Sequence, residues 1–246
     1  MQTVVLAAGY GTRLYPLTQN TPKALLPMGS STILGQLAVK LEKPGTGIQE
    51  ISLVSNHKFA EPFRKWAAGQ KGKLSWTVLD DKSSSEADRL GSIGDLVFAI
   101  REQKIDDDLL VFGSDNLFET EFADFVKFAK EKNQVTLAAY ELPDKSSASH
   151  YGVLTVDSDW RITEFAEKPA QPNSALISTA VYFFPRRTVS RVVEYLSSQK
   201  TADTLGAFIA WMIAREPVYA YPLKGTWFDI GDLESYRSAQ KIFGGV

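Results

Sequence analysis

The segment Thr3-Val4-Val5-Leu6-Ala7-Ala8-Gly9-Tyr10-Gly11-Thr12-Arg13-Leu14-Tyr15-Pro16-Leu17-Thr18-Gln19-Asn20-Thr21-Pro22-Lys23-Ala24-Leu25-Leu26-Pro27 decides how the rest of the chain is read. It opens as a short β-branched run, passes into small residues and two glycines, and ends in a cation held between prolines. A strand that breaks into glycines has the chemistry of a phosphate cradle. Without side chains in the way, backbone N–H groups approach phosphate oxygens, and fixed positive charges neutralise them. Arg13 and Lys23 are the only Lys or Arg among the first 39 residues, and both fall in this loop. Leu6, Ala7, Ala8, Gly9, Gly11 and Thr12 are therefore expected to line a phosphate site, with Arg13 and Lys23 as its cations. Two familiar phosphate loops do not match: position 14 is leucine, so no G-x-G-x-x-G starts at Gly9, and no G-x-x-x-x-G-K-[ST] occurs. Gly9-x-Gly11 alone would read as a tight turn, and a lone Arg or Lys as a surface residue. The signal lies in the whole string.

Outward from this loop, β-branched runs recur at Thr3–Ala8, Glu50–Val54, Leu74–Leu79, Leu109–Phe112 and Val135–Tyr140, with segments of helical spacing between them. Phe122, Phe125, Val126 and Ala129 mark one such stripe. Alternating strand and helix predicts an α/β, doubly wound, mostly parallel sheet with both faces covered. After Ser146 the rhythm changes to close-set strands near Gly152–Val156, Arg161–Phe165 and Leu176–Phe184, then to two amphipathic stripes, Val189/Val192/Val193/Leu196 and Leu205/Phe208/Ile209/Met212. A last helix is expected on Leu233, Tyr236 and Ile242. The prediction is one domain over 1–246, with a first half at 1–145 and a strand-rich second half at 146–246. In such sheets ligands sit beyond the carboxyl ends of the strands.

Asp115 stands at such an end, in Val111-Phe112-Gly113-Ser114-Asp115-Asn116. Mg²⁺ takes oxygen ligands and is held by one or two carboxylates plus substrate phosphates. Asp115 suits the first carboxylate, although an Asp closing a turn through its own side chain is the plain alternative. Asp232 precedes the last helix and reads as its N-cap. Asp106, Asp107 and Asp108 read as a solvated turn, and His57 and His150 as bystanders.

Gly-x-Gly-Thr-Arg-Leu-x-Pro-Leu-Thr followed by Pro-Lys-x-Leu-x-Pro resembles the signature of the sugar-phosphate nucleotidyltransferases, which include glucose-1-phosphate thymidylyl- and uridylyltransferases and mannose-1-phosphate guanylyltransferases. Later segments resemble that family's motifs in order, so the likeness covers nearly the whole chain. It implies a Rossmann-like nucleotidyltransferase fold and Mg²⁺-dependent transfer of a nucleoside monophosphate from a nucleoside triphosphate to a sugar-1-phosphate, with release of pyrophosphate. By resemblance, Asp115 and Asp229 hold the metal, the latter two residues after Trp227. Gly91 and Ser92 meet the base and ribose. Tyr151, Gly152, Glu167 and Lys168 bind the acceptor, Lys168 through its phosphate, and Asn116, Ser178 and Ala180 complete that pocket. The last two depart from the family, which has Asn and Gly at these places.

The broad properties narrow the alternatives. Lys and Arg number 27 against 29 Asp and Glu, a net charge of −2, so there is no overall pull toward nucleic acid or an anionic membrane. Zero cysteines and two histidines among 246 residues leave no thiol chemistry and no His-rich metal site. The longest apolar run, Ala207–Ala214, has eight residues, far short of the ~18 that would span a bilayer. The initial apolar run is too short for a signal segment, so a cytoplasmic enzyme is expected, with homo-oligomers allowed. Competing functions are a cytidylyltransferase acting on phosphocholine or a similar non-sugar phosphate, and a catalytically silent regulatory subunit that binds nucleotide-sugar. A metal-dependent glycosyltransferase would lack the cationic loop.

Overall fold

The computed structural model describes residues 1–198 and 204–245. Its elements, in chain order, are β1 (Gln2–Leu6), β2 (Pro27–Met28), β3 (Ser31–Thr32), α1 (Ile33–Leu41), β4 (Glu50–Ser55), α2 (His57–Ala68), β5 (Ser75–Asp80), α3 (Gly91–Glu102), β6 (Leu109–Gly113), β7 (Asn116–Phe118), α4 (Ala123–Lys132) and β8 (Val135–Glu141). They continue with β9 (Gly152–Val156), β10 (Ile162–Glu167), β11 (Leu176–Phe184), α5 (Arg186–Ser198), α6 (Leu205–Ile213), β12 (Val218–Pro222), β13 (Trp227–Asp229) and α7 (Leu233–Phe243).

Nine of these strands form one sheet. β5, β4, β1 and β6 lie side by side in parallel, with Val4 opposite Ser52 on one flank and Val111 on the other. β11 then runs antiparallel to β6, β8 runs antiparallel to β11, and β12 pairs with β8 in parallel. Alternation along each strand feeds two cores. Val4, Leu109 and Val111 point to the side covered by α3, α5 and α6, while Val5, Leu110 and Phe112 point to the side covered by α1, α2 and α4. A strand buried on both faces has to be continuously apolar, which is why these runs carry no polar alternation. The doubly wound, mostly parallel sheet expected from the sequence is present.

The second half of the chain shares this sheet rather than standing beside it. β11 lies between β6 and β8, and only the antiparallel β9–β10 arm projects from its first residues. A third, smaller core joins Leu14, Leu26, Met28, Ile33, Leu117, Ile230, Tyr236 and Ala239. It clamps the loop of residues 9–27 onto β7, β13 and α7. The stripe expected for α7 is corrected here: Tyr236 and Ala239 face inward, whereas Ile242 is 53% exposed. No helix among the described residues is long and apolar enough to cross a membrane.

Candidate active site

The loop after β1 is a pair of single 3₁₀ turns, Thr12–Leu14 and Lys23–Leu25. Gly11 opens the first at φ +65°, a left-handed conformation for which glycine is the cheapest residue. Thr18 Oγ1 donates to the Gly11 carbonyl at 2.7 Å, folding the loop back on itself. The second turn aims Lys23 into the molecule. Its Nζ donates to Asp115 Oδ2 at 2.6 Å and to the Ile230 carbonyl at 2.9 Å.

Asp115 sits between β6 and β7. The short β7–β13 ladder sets Asn116 opposite Asp229, and Ile230 N donates to the Asp115 carbonyl at 2.9 Å. Two carboxylates 114 residues apart in sequence thus become neighbours. Burial pushes the Asp115 carboxyl up, but the Lys23 ammonium and hydrogen bonds from Lys23 and Asn116 outweigh this and hold it below the usual carboxylate range. Asp229 has no such donor. Burial and the Asp115 charge push it up to about 7, with Lys23, Arg13 and Lys168 pulling the other way. Two neighbouring carboxylates are a donor set a hard dication takes, the remaining positions falling to water and phosphate. These residues fit Mg²⁺. Asp232 is committed elsewhere: its Oδ1 accepts from Ser235 N at 2.8 Å as the N-cap of α7, completed by Ser235 as a capping box.

Asp115 lines two cavities, one of about 660 Å³ and one of about 250 Å³, and Asp229 lines the larger. Leu6, Ala7, Gly9, Gly11, Thr12, Arg13 and Lys23 line the smaller, and Ala8, Gly91 and Ser92 join Leu6, Gly9 and Arg13 along the larger. Asn116, Tyr151, Gly152, Glu167, Lys168, Ser178 and Ala180 line the far part of the larger cavity with Asp229. Every residue singled out from the sequence is therefore brought to this cleft.

In the larger cavity, glycines make room for Glu167. A methyl group on Gly206 would sit 1.9 Å from Glu167 Oε2, and one on Gly152 would meet Phe165 Cζ at 2.5 Å. Burial raises the Glu167 carboxyl, opposed by Lys168. Lys168 itself adopts φ +47°, and its N–H donates to the Tyr151 carbonyl at 3.0 Å, which ties the end of β10 to the start of β9. β11 bulges between Ser178 and Tyr182, with Ala180 at φ +58°. The glycine expected there from the family pattern would hold this conformation without strain. Ser178 Oγ donates to the Tyr182 hydroxyl at 3.2 Å, so its polar group is turned onto the protein. Burial pushes the Tyr182 phenol up to about 12.

Several lining residues were not selected from the sequence. Tyr182 and Gly206 lie within runs that read as ordinary core strand and helix. Trp227 served only as a landmark for Asp229 and His150 as a bystander, yet both line the larger cavity, as does Asp95.

A family model for nucleotidyl transferases matches residues 2–243. The chain belongs to that family. The bifunctional protein GlmU of Methanocaldococcus jannaschii is 27% identical over 231 residues, and that of Methanococcus aeolicus 30% identical over 237 residues. Each match covers 94% of this chain and 51% of the relative, so the chain spans about half the length of these curated relatives. A Bacillus anthracis structure, provisionally assigned as a glucose-1-phosphate thymidylyltransferase and solved with sucrose, superposes with a TM-score of 0.83. It covers 100% of this chain and 96% of that one at 22% identity, which establishes a shared nucleotidyltransferase fold.

Proposed function

We propose that this nucleotidyltransferase transfers a nucleoside monophosphate from a nucleoside triphosphate to a sugar-1-phosphate. The observation that carries the reading is the placement of Asp115 and Asp229. They sit at the junction of a cationic glycine loop, suited to a triphosphate, and a pocket holding Glu167 and Lys168, suited to a phosphorylated polyol. A phosphate oxygen of the acceptor attacks the α-phosphorus, the bond from that phosphorus to the β-phosphate oxygen breaks, and pyrophosphate leaves. Atoms and charge balance without a covalent enzyme intermediate. Catalysis is then positioning and charge neutralisation.

Arg13 holds the β- and γ-phosphates and the departing pyrophosphate with its planar fork. Lys23, fixed by Asp115 and the Ile230 carbonyl, lies toward the α-phosphate. Lys168 holds the acceptor phosphate in line, and Glu167 accepts from acceptor hydroxyls. Asp115 and Asp229 would hold Mg²⁺, which would supply further neutralisation of the reacting phosphates. The names of the similar proteins support a sugar phosphate as acceptor. A silent subunit is disfavoured because Arg13, Lys23, Asp115, Lys168 and Asp229 all reach the cleft. The test is pyrophosphate release screened over the common nucleoside triphosphates against a panel of sugar-1-phosphates and phosphocholine. Release that depends on one triphosphate and one sugar-1-phosphate supports the proposal; release with phosphocholine alone replaces the acceptor class.

A further inference from the structure

Trp227 and Asn116 form a hydrogen-bonded chain that ends on a metal-binding carboxylate. The Trp227 indole Nε1 donates to Asn116 Oδ1 at 2.7 Å, and Asn116 Nδ2 donates to Asp115 Oδ1 at 2.8 Å. Both residues are buried, at 8% and 3% exposure. An indole N–H can only donate, so it selects the oxygen of the amide and turns the NH₂ toward Asp115. Without that donor the amide loses one of its two anchors and is held by the Asp115 carboxylate alone. Tyr140 and Tyr151 hold the indole from two sides, each with ring centroids 5.4 Å away. The main-chain carbonyl of Tyr151 also accepts from Lys168 N at 3.0 Å, so one residue packs its ring on the indole and ties down the backbone of Lys168.

We infer that Trp227 is a positioning residue for the metal site, acting through the amide of Asn116 to orient Asp115. Lys23 occupies Asp115 Oδ2 and the amide occupies one lone pair of Oδ1, so the rotation of the carboxylate is fixed from both ends. Outer partners of metal-binding carboxylates typically change metal affinity by about 10–100-fold. The inference rests on the reading of Asp115 as a metal carboxylate. It reassigns Asn116 from holding the acceptor to holding that ligand.

The test is a double-mutant cycle with Mn²⁺ alone as the probe, its free concentration read by electron paramagnetic resonance on the full chain without nucleotide. Trp227→Phe keeps an aromatic ring between the two tyrosines and deletes the donor; Asn116→Leu removes the amide at similar volume. Each should weaken Mn²⁺ binding roughly tenfold, and the double variant should bind like Asn116→Leu, because the indole N–H that Trp227→Phe deletes reaches Asp115 through the Asn116 amide. Unchanged affinity in Trp227→Phe, or penalties that multiply in the double variant, would overturn the inference. Should Asn116→Leu not fold, Trp227→Phe decides alone: weakened Mn²⁺ binding with an unchanged unfolding midpoint supports the chain, and unchanged binding refutes it. Asp115→Asn is the control. Wild-type Mn²⁺ binding that this substitution leaves intact would remove the metal reading itself, and the role of Trp227 with it.

Discussion

Asp229 and Asp232 are three residues apart and do different work, which only their surroundings reveal. Asp229 ends β13 beside Asp115, while Asp232 is absorbed by the first turn of α7. Asp115→Asn and Asp229→Asn should each remove most Mg²⁺-dependent turnover, with the double variant little worse than either, since both serve one ion. Asp232→Asn should leave kcat unchanged because Asn caps as well as Asp, whereas Asp232→Ala should cost about 1 kcal/mol of stability on a denaturant curve. An inactive Asp232→Asn beside an active Asp229→Asn would reverse the assignment. Gly206 offers a second test at this scale. Its missing side chain leaves the space that Glu167 fills, so Gly206→Ala should displace that carboxylate and raise the acceptor KM at least several-fold while triphosphate binding holds. An unchanged acceptor KM would place Glu167 outside the pocket's chemistry. Arg13, Lys23 and Asp115 were legible because each stands in a string of specific neighbours. Gly206 and Tyr182 were not, because an apolar stripe explains them equally well until a cavity is seen beside them.

Strands and helices were legible in proportion to their length and to how locally their patterns are set. β9 and β11 begin and end where the sequence places them, as runs of five and nine residues bounded by polar or turn-forming neighbours. β7 and β13 have three residues each, too few to show a period of two, although they bring the two carboxylates together. β12 finds its parallel partner β8 only through the crossover containing α5 and α6. In α7, Leu233 and Ile242 are nine residues apart, about half a turn out of phase at 100° per residue, so Ile242 faces water while Ala239 faces the core. The junction of β5 and α2 supplies a pH test. Asp80, 8% exposed, closes β5 by accepting from the His57 ring, from Lys82 N and from Lys82 Nζ. Burial alone would raise its carboxyl, but these bonds lower it to about 2 from 3.8. A depressed acid stabilises the fold above its unfolded pKa, and that contribution disappears as pH falls through the folded value. Asp80→Asn should therefore lose up to about 2 kcal/mol at neutral pH, the linkage equivalent of the shift, and should flatten the fall in stability between pH 4 and pH 2. A parallel pH dependence in variant and parent would contradict this assignment.

Across the whole molecule, we propose that residues 1–145, as a nucleotide half, and residues 146–246, as an acceptor half, fold as a single domain. The reason is the position of β11, which supplies the antiparallel neighbour of β6 and of β8 at once. Residues 1–145 alone would expose both edges. Guanidinium unfolding of the full chain should give one transition by far-UV dichroism and by tryptophan fluorescence, and two separated transitions would show independent units. The same sheet carries the glycine loop after β1, proposed to hold the triphosphate, and the β9–β10 arm, proposed to hold the acceptor. This arrangement makes a defined statement about bonds: the break lies between the α- and β-phosphates, and the α-phosphate passes to the acceptor. Phosphorus NMR of the chain with Mg²⁺, the triphosphate and the sugar-1-phosphate selected by the release screen reads this directly. The expected spectrum shows pyrophosphate growing in step with the two coupled resonances of a nucleotide-sugar diphosphate, and neither appearing when the acceptor is withheld. Pyrophosphate and nucleoside monophosphate forming without acceptor, or inorganic phosphate as the first product, would contradict nucleotidyl transfer.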